Sequence, residues 1–473
     1  MNIHVFLVNW DSVYDSVLRT EQQLLDIGVK YTVLDSGSEI KDRLNWEYIG
    51  DVRFYGQLYE ALKRTAGEDY IIFMLGDATF DDISLLTKRL VFINKYLNAG
   101  VYAPYYTNSP WNYQQTYLEP IALDTSLVIA SQTDGIVTVF HNSVYTELLK
   151  YMHYLDEKVG ILNLRTGWGM DYVWCAISVS LGKFIVRDTR VIGQHPHGSS
   201  YDHGKASEEM ALVMGLYSSW SKNQESTEAI FQNIRRRMGS DSQITPWVFY
   251  GNSTLYKEVT NIPYHIVSVS NSRLHKVNSI MSNVNANRLE IPSINAYNEQ
   301  SLSDFYKRNP EFYVAGNWFR PGEIGCFASH YEFWKYVRDN KLEHAIIFED
   351  DCTVNSNFNI RSSMYMDEVP KTFDIFSLFV HSNQATRYTT EHRVTNQIAK
   401  GYQDWSTLCY VVSAKGAQKL CSIVEQGGMT EPVDWFIFRK GHAGILETYT
   451  LSPGESHLVD IDEGCVPSID RKN

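Results

Sequence analysis

The amino-acid sequence predicts an α/β protein of two successive units, each with a largely parallel, Rossmann-like sheet covered by helices. Two observations carry this expectation. Short apolar runs of strand length alternate with amphipathic stretches of helix length, as happens when strands cross over through helices. The pattern then starts again after about residue 240, and 473 residues supply enough chain for two α/β cores of this size. The expected units are 1–240 and 241–473.

In the first unit, strands are expected at Ile3–Asn9, Lys30–Asp35, Tyr70–Leu75, Ile136–Phe140 and Phe184–Ile192. Apolar residues at helical spacing predict helices over Val13–Ile27 and Gln57–Ala66. Asp35-Ser36-Gly37-Ser38 is a turn directly after a strand, where open α/β sheets bind ligands. A helix is expected from about Ser207 to Gly239, and its Arg235-Arg236-Arg237 reads as a solvated terminus rather than a phosphate site. Pro246-Trp247-Val248-Phe249-Tyr250 opens the second unit. There, strands are expected at Tyr264–Ser270, His344–Phe348, Phe373–Phe379 and Leu408–Ser413, with helices from Leu274, from Ala414 to Glu425, and over Trp435–Lys440.

Composition narrows the function classes. With 44% hydrophobic and 21% charged residues, the chain is neither disordered nor collagen-like. A net charge of −13 argues against a protein that coats nucleic acid. The six Cys are dispersed without metal-type pairs, which fits reduced thiols. Met1–Trp10 reads as a first strand rather than a signal peptide, and no apolar run approaches a membrane span of about 20 residues. A soluble, cytoplasmic protein is expected.

Chemistry-bearing residues gather at the expected strand ends. Tyr70–Leu75 runs through Gly76 into Asp77, which suits Mg²⁺ or Mn²⁺, cations that take hard oxygen ligands. Asp81 or Asp82 reads instead as the cap of a helix over Ile83–Leu90. Gly167-Trp168-Gly169-Met170-Asp171 joins a sharp turn, a ring and a carboxylate. Asp171 is either a base for an attacking hydroxyl or part of a helix start. After the last strand, Gln194, His195, His197 and His203 form a polar cluster in which the histidines offer nitrogen ligands.

In the second unit, Tyr264–Ser270 enters a helix through Asn271-Ser272-Arg273, where backbone N–H groups and an Arg suit an anion. Another strand ends in Glu349-Asp350-Asp351, three adjacent carboxylates whose repulsion a cation would relieve. By themselves, Cys326 reads as a packing thiol, His330 as a helix anchor and Asp434 as a helix cap.

Together these features resemble glycosyltransferases of the GT-A fold, in tandem. The first half is similar to a family-2 or galactosyltransferase-like domain on four features: the strand with Asp35-Ser36-Gly37-Ser38, Asp77, Gly-Trp-Gly-x-Asp and the histidines. Leu75 and Gly76 stand where that family commonly has a further acid. The second half resembles glycosyltransferase family 25, the lipopolysaccharide-biosynthesis and collagen-galactosyltransferase type. Its matching motifs are Arg273, Gly322-Glu323-Ile324-Gly325-Cys326 with Ser329-His330, Glu349-Asp350-Asp351, Trp405-Ser406-Thr407 with Tyr410, Gly416-Ala417, Pro432-Val433-Asp434 and Ser456.

The resemblance implies a nucleotide-sugar donor, of UDP-sugar type, and Mn²⁺ or Mg²⁺. It assigns metal binding to Asp77, His195, His197, Glu349 and Asp351, and donor binding to Asp35, Ser268, Arg273, Ser329 and His330. Asp171 and Asp434 become bases and Trp168 an acceptor contact, with Trp318 a further sugar-stacking ring. The animal members' secretory signal and retention tail have no counterpart here, which points to a bacterial or viral cytoplasm. A glycan acceptor is expected. The alternatives are hydroxymethylated pyrimidines of viral DNA, or one catalytic unit beside a sugar- or nucleotide-binding one.

Overall fold

The computed structural model describes residues 1–39, 45–107, 119–121, 123–196, 202–221, 227–232, 250, 253–257, 262–379, 392–395, 397–401, 406–452 and 458–461. Its packing divides into two compact units, Met1–Lys257 and Glu258–Asn473. The boundary expected at 240 lies outside the described residues.

The first unit contains β1 (Ile3–Asn9), β2 (Lys30–Asp35), β3 (Glu47–Tyr48), β4 (Tyr70–Leu75), β5 (Thr79–Phe80), β6 (Ala99–Tyr106), β7 (Glu119–Ile121), β8 (Asp124–Ala130), β9 (Val137–His141) and β10 (Phe184–Gln194). Its sheet runs β3-β2-β1-β4-β9-β6-β10-β8-β7, with β5 on β10. The first four strands are parallel, as are β6 and β10, while β9 runs antiparallel to β4 and β6. Helices cover the sheet, and Val5–Val8 of β1 are wholly buried, which is why that strand reads as a continuous apolar run. Register sets Asn9 beside Asp35 and Val8 beside Leu75, so the C-terminal ends of β1, β2 and β4 share one edge.

The helices of this unit are α1 (Tyr14–Asp26), α2 (Phe54–Lys63), α3 (Ser84–Tyr96), α4 (Asn142–Val159), α5 (Met170–Ser180) and α6 (His203–Trp220). On α1, Val17, Thr20, Glu21 and Leu24 are buried, the stripe that three- and four-residue spacing produces. The expected long helix is shorter at this point: α6 stops at Trp220, where Ser221 turns extended with ψ 142°. Arg235-Arg236-Arg237 lies outside the described residues.

The second unit contains β11 (Tyr264–Val267), β12 (His344–Glu349), β13 (Cys352–Val354), β14 (Ile375–Ser377), β15 (Ile398–Lys400), β16 (Cys409–Ser413), β17 (Thr448–Leu451) and β18 (Val459–Ile461). Its helices are α7 (Leu274–Asn283), α8 (Glu299–Arg308), α9 (Pro321–Asp339), α10 (Phe358–Glu368), α11 (Ala414–Gly427) and α12 (Val433–His442). The sheet order is β11-β12-β16-β14-β17-β15, and β13 pairs with β18 apart from it. β11–β12 and β14–β17 are parallel; β12–β16, β14–β16 and β15–β17 are antiparallel.

Strand alternation builds three layers in this unit. Ile346, Phe348, Cys409 and Val411 pack on one face with Val277 and Ile280 of α7 and Phe358 of α10. Ala345, Ile347, Tyr410 and Val412 pack on the other with Phe327 and Trp334 of α9 and Leu420 of α11. Among the described residues no helix is long and apolar enough to cross a membrane.

Candidate active site

The second unit gathers its chemistry where β11 and β12 end and β16 begins. Val267 pairs with Glu349, and Phe348 pairs with Cys409, so Ser268, Glu349 and Thr407 meet at one sheet edge. The three adjacent acids divide their tasks. Glu349 Oε1 accepts a hydrogen bond from the Thr407 hydroxyl and lies 3.5 Å from His330 Nε2. Asp350 is 6% exposed and accepts from Arg273 Nη1 at 2.6 Å. Asp351 Oδ1 is buried without a hydrogen-bond partner.

Electrostatics separate the outer two. Burial raises the Glu349 carboxyl, but His330 and Thr407 more than offset it and leave its pKa below the ordinary value. Burial, then the charges of Glu349 and Asp350, push Asp351 up to about 6. Asp434 lies in the first turn of α12, after Pro432 rather than at the cap. It accepts from Ser406 N at 3.2 Å and from Trp435 N at 2.9 Å. Burial raises its pKa, with Glu349 adding to the rise.

His330 and Ser329 are fully buried. The Ser329 hydroxyl accepts from Ile294 N at 2.8 Å and donates to Gly325 O at 2.7 Å. A Cβ on Gly325 would stand 2.6 Å from Ile294 O, so glycine there permits this close approach of α9. His330 Nδ1 is 2.8 Å from Tyr410 Oη, which also accepts from Trp334 Nε1 at 2.8 Å. Both residues therefore support the site from behind. Ser268 is half-buried, and its N–H donates to Ser293 Oγ. Trp318 is 62% exposed and stacks on Phe319 at 3.8 Å.

In the first unit, a cleft of about 570 Å³ is lined by residues including Asp11, Asp15, Arg19, Asp77, Gln194 and His195. It brings Asp77 and His195 together, with His195 Nε2 3.3 Å from Asp77 Oδ2. Burial lowers the His195 pKa, but the Asp77 carboxylate outweighs it and leaves the imidazole above its ordinary value. Asp35 is buried and accepts from Asn9 Nδ2 at 2.7 Å. His197 lies outside the described residues, as do Trp405 and Ser456.

Gly167 and Gly169 both take positive φ, 87° and 92°, a region that favours glycine. This turn starts α5 at Met170 and places Asp171 in its first turn. Gln132 Nε2 donates to Asp171 Oδ2, and burial pushes Asp171 up to about 6. The Trp168 ring meets His203 edge-on at 5.4 Å, and its carbonyl accepts from the Tyr55 hydroxyl. Asp82 accepts from Ser84 N at 2.8 Å, but it lies one residue before Ile83, the N-cap of α3.

The donors suit a hard divalent cation in both units. Asp77 Oδ1 and Asp351 Oδ1 are buried carboxylate oxygens with no hydrogen-bond partner, and oxygen donors of this kind bind Mg²⁺ or Mn²⁺. Gln132 and the supporting pair Tyr410–Trp334 were not singled out by the sequence for these roles. Gln132 is separated by 39 positions from Asp171, and no local pattern joins them.

The fold and site define an α/β protein with carboxylates gathered at its strand ends. Residues 261–437 match the family model described as Glycosyltransferase family 25 (LPS biosynthesis protein), and that stretch holds the second unit's acids from Glu349 to Asp434. Procollagen galactosyltransferase 2 of Homo sapiens is 35% identical over 120 residues, 24% of this chain and 19% of that protein. A probable inactive glycosyltransferase 25 family member 3 of Bos taurus is 34% identical over 126 residues, 26% of this chain and 21% of that protein. The match thus spans about a fifth of these relatives' length. Among solved structures, S. aureus TarS 1–349 aligns at 12% identity and TM-score 0.34, covering 52% of this chain and 74% of that one. GalNAc-T7 with UDP, GalNAc and Mn²⁺ aligns at 8% identity and TM-score 0.35, covering 53% and 56%.

Proposed function

We propose that the chain is a metal-dependent glycosyltransferase with two GT-A-like units, moving a sugar from a nucleotide-sugar donor of UDP-sugar type to a hydroxyl of a glycan or lipopolysaccharide-type acceptor. The observation that carries this reading is the Glu349–Asp351 end of β12, where one acid is oriented by Thr407 and another has an unpartnered buried oxygen. It falls inside the stretch that matches family 25.

Glu349 and Asp351 would hold Mn²⁺ or Mg²⁺ in the second unit, and Asp77 with His195 in the first. When bound, the cation offsets charge on the donor diphosphate and the departing nucleotide. Asp434 takes the proton of the acceptor hydroxyl, and its raised pKa makes it a stronger base than an exposed Asp. Asp171 has the same task in the first unit, with inversion at the sugar carbon. Asp35, Ser268 and Arg273 face the donor; Trp168 and Trp318 offer rings to sugars.

A second reading keeps catalysis in the second unit and gives the first a sugar- or nucleotide-binding role. It is favoured by Gly76, where a Cβ would stand 2.4 Å from Val8 O, leaving no room for another acid. A glycan is preferred to DNA because the match is to a lipopolysaccharide-biosynthesis family. The free cysteines among the described residues support a reducing cytoplasm.

The test is mass spectrometry of products from a panel of nucleotide sugars with Mn²⁺, using the wild type, Asp77→Asn, and Glu349→Gln with Asp351→Asn. Loss confined to the second-unit variant selects the second reading, and loss in both selects two active units. Unchanged turnover in both overturns the enzymatic reading.

A further inference from the structure

Cys326 and His330 are four residues apart on α9, so they project from one face of the helix on successive turns. Glu349 meets that face from the end of β12. One ligand atom from each of Cys326, His330 and Glu349 lies within 4.8 Å of the other two. His330 is fully buried, and its Nε2 makes no hydrogen bond, although it is aimed at Glu349 Oε1 only 3.5 Å away. Two ligands about 2.0–2.1 Å from a tetrahedral ion stand about 3.3–3.4 Å apart, close to that separation. The opposite ring nitrogen is already held, because Nδ1 is 2.8 Å from Tyr410 Oη. Such a partner fixes the ring and the tautomer of a metal-binding histidine.

We propose that Cys326, His330 and Glu349 form a thiolate-containing Zn²⁺ site that shares Glu349 with the oxygen-donor pair Glu349–Asp351. The donor set of sulfur, nitrogen and carboxylate oxygen is that of zinc rather than of Mg²⁺ or Mn²⁺, and three protein ligands leave a fourth position for water. On binding, the Cys326 S–H bond breaks and an S–Zn bond forms. The proton leaves to solvent, and Zn²⁺ needs no redox partner. Because Glu349 cannot serve both sites freely, zinc opposes binding of the harder cation. That consequence for catalysis rests on the function proposed above; the zinc site itself does not.

The experiment uses the full chain, stripped with a chelator and titrated with Co²⁺ as a spectroscopic stand-in for Zn²⁺. A thiolate-to-cobalt charge-transfer band is expected, saturating at one ion per chain and bleached by added Zn²⁺. Cys326→Ser and Cys326→Ala should each abolish the band and weaken zinc binding by about 100-fold or more, since loss of even an outer-sphere partner costs about 10–100-fold. A folded Cys326→Ser protein that keeps the band, or a wild type that never shows it, overturns the proposal. Mn²⁺ binding, followed by electron paramagnetic resonance, separates the two ideas. Zinc should displace one equivalent of Mn²⁺ from the wild type at a concentration about 100-fold lower than from Cys326→Ser, in which only the general preference of N and O ligands for zinc over Mn²⁺ remains. A cobalt–thiolate band in a chain that binds no Mn²⁺ upholds the zinc site and overturns the metal-dependent function. Mn²⁺ binding that zinc leaves untouched overturns the competition.

Discussion

The two units put an acid at the same kind of position, at or just beyond the end of a buried strand, and surround it differently. In the first, β4 leaves through Gly76, where a Cβ would run into Val8 O, Val17 and Val13. A single acid, Asp77, follows, paired with His195. In the second, three acids follow one another, and neighbours give each a distinct state: Thr407 orients Glu349, Arg273 neutralises Asp350, and Asp351 keeps an unpartnered oxygen. The β12 end accommodates several carboxylates because Thr407 and Arg273 take up charge beside them, whereas the backbone around Gly76 leaves no space for a second acid.

The largest effect should come from the second unit. Glu349→Gln with Asp351→Asn is expected to lower metal-dependent nucleotide-sugar turnover by about 100-fold or more, and Asp77→Asn by less. An equal or greater loss at Asp77 would reverse the comparison.

Gly76→Asp probes why the first unit lacks a second acid. The new side chain meets Val8 O, so overpacking should cost about 1–3 kcal/mol, read as a fall in Tm with no gain in Mn²⁺ binding. An unchanged Tm with tighter Mn²⁺ binding would contradict the steric account.

Asp351 carries a pH signature. Its carboxyl is pushed up to about 6 in the folded chain, so the native state holds the proton more tightly than the unfolded one. Below about pH 4 both states are protonated and the difference vanishes. As pH rises from about 4 to about 6 the stability of the second unit should therefore fall, by about 1–2 kcal/mol after allowance for partial exposure. Above that it levels off. Denaturant titrations of the wild type and Asp351→Asn check this, and a variant whose pH dependence matches the wild type would remove it.

A smaller shift is expected at Asp171. The Gln132 amide favours its ionised form, so Gln132→Leu should move any first-unit activity inflection upward from about 6. No movement would separate Asp171 from the chemistry.

Strands β1, β2 and β4 were legible because each is a short apolar run with polar residues at its end, and all three begin and end where expected. β6 was not, since Gly100 and Pro104 interrupt Ala99–Tyr106, and its strand state comes from pairing with β10 and β9. The expected Phe373–Phe379 strand reduces to Ile375–Ser377, because only its middle is held between β16 and β17. Asp77 and Glu349–Asp351 were legible as carboxylates at strand ends. Their partners were not: Thr407 reaches Glu349, and Tyr410 reaches His330 and Trp334, through the antiparallel pairing of β16 with β12. His330 and Ser329 are easily read as substrate contacts from their place in a motif, whereas burial directs both inward.

The end of β12 is proposed as the working metal-dependent transfer site. Its most direct test measures nucleotide-sugar hydrolysis by the wild type and by Glu349→Gln with Asp351→Asn, with Mn²⁺ and with chelator. Turnover should need the cation in the wild type and be lost in the variant while Tm is maintained. Cation-independent turnover, or full activity in the folded variant, would contradict it.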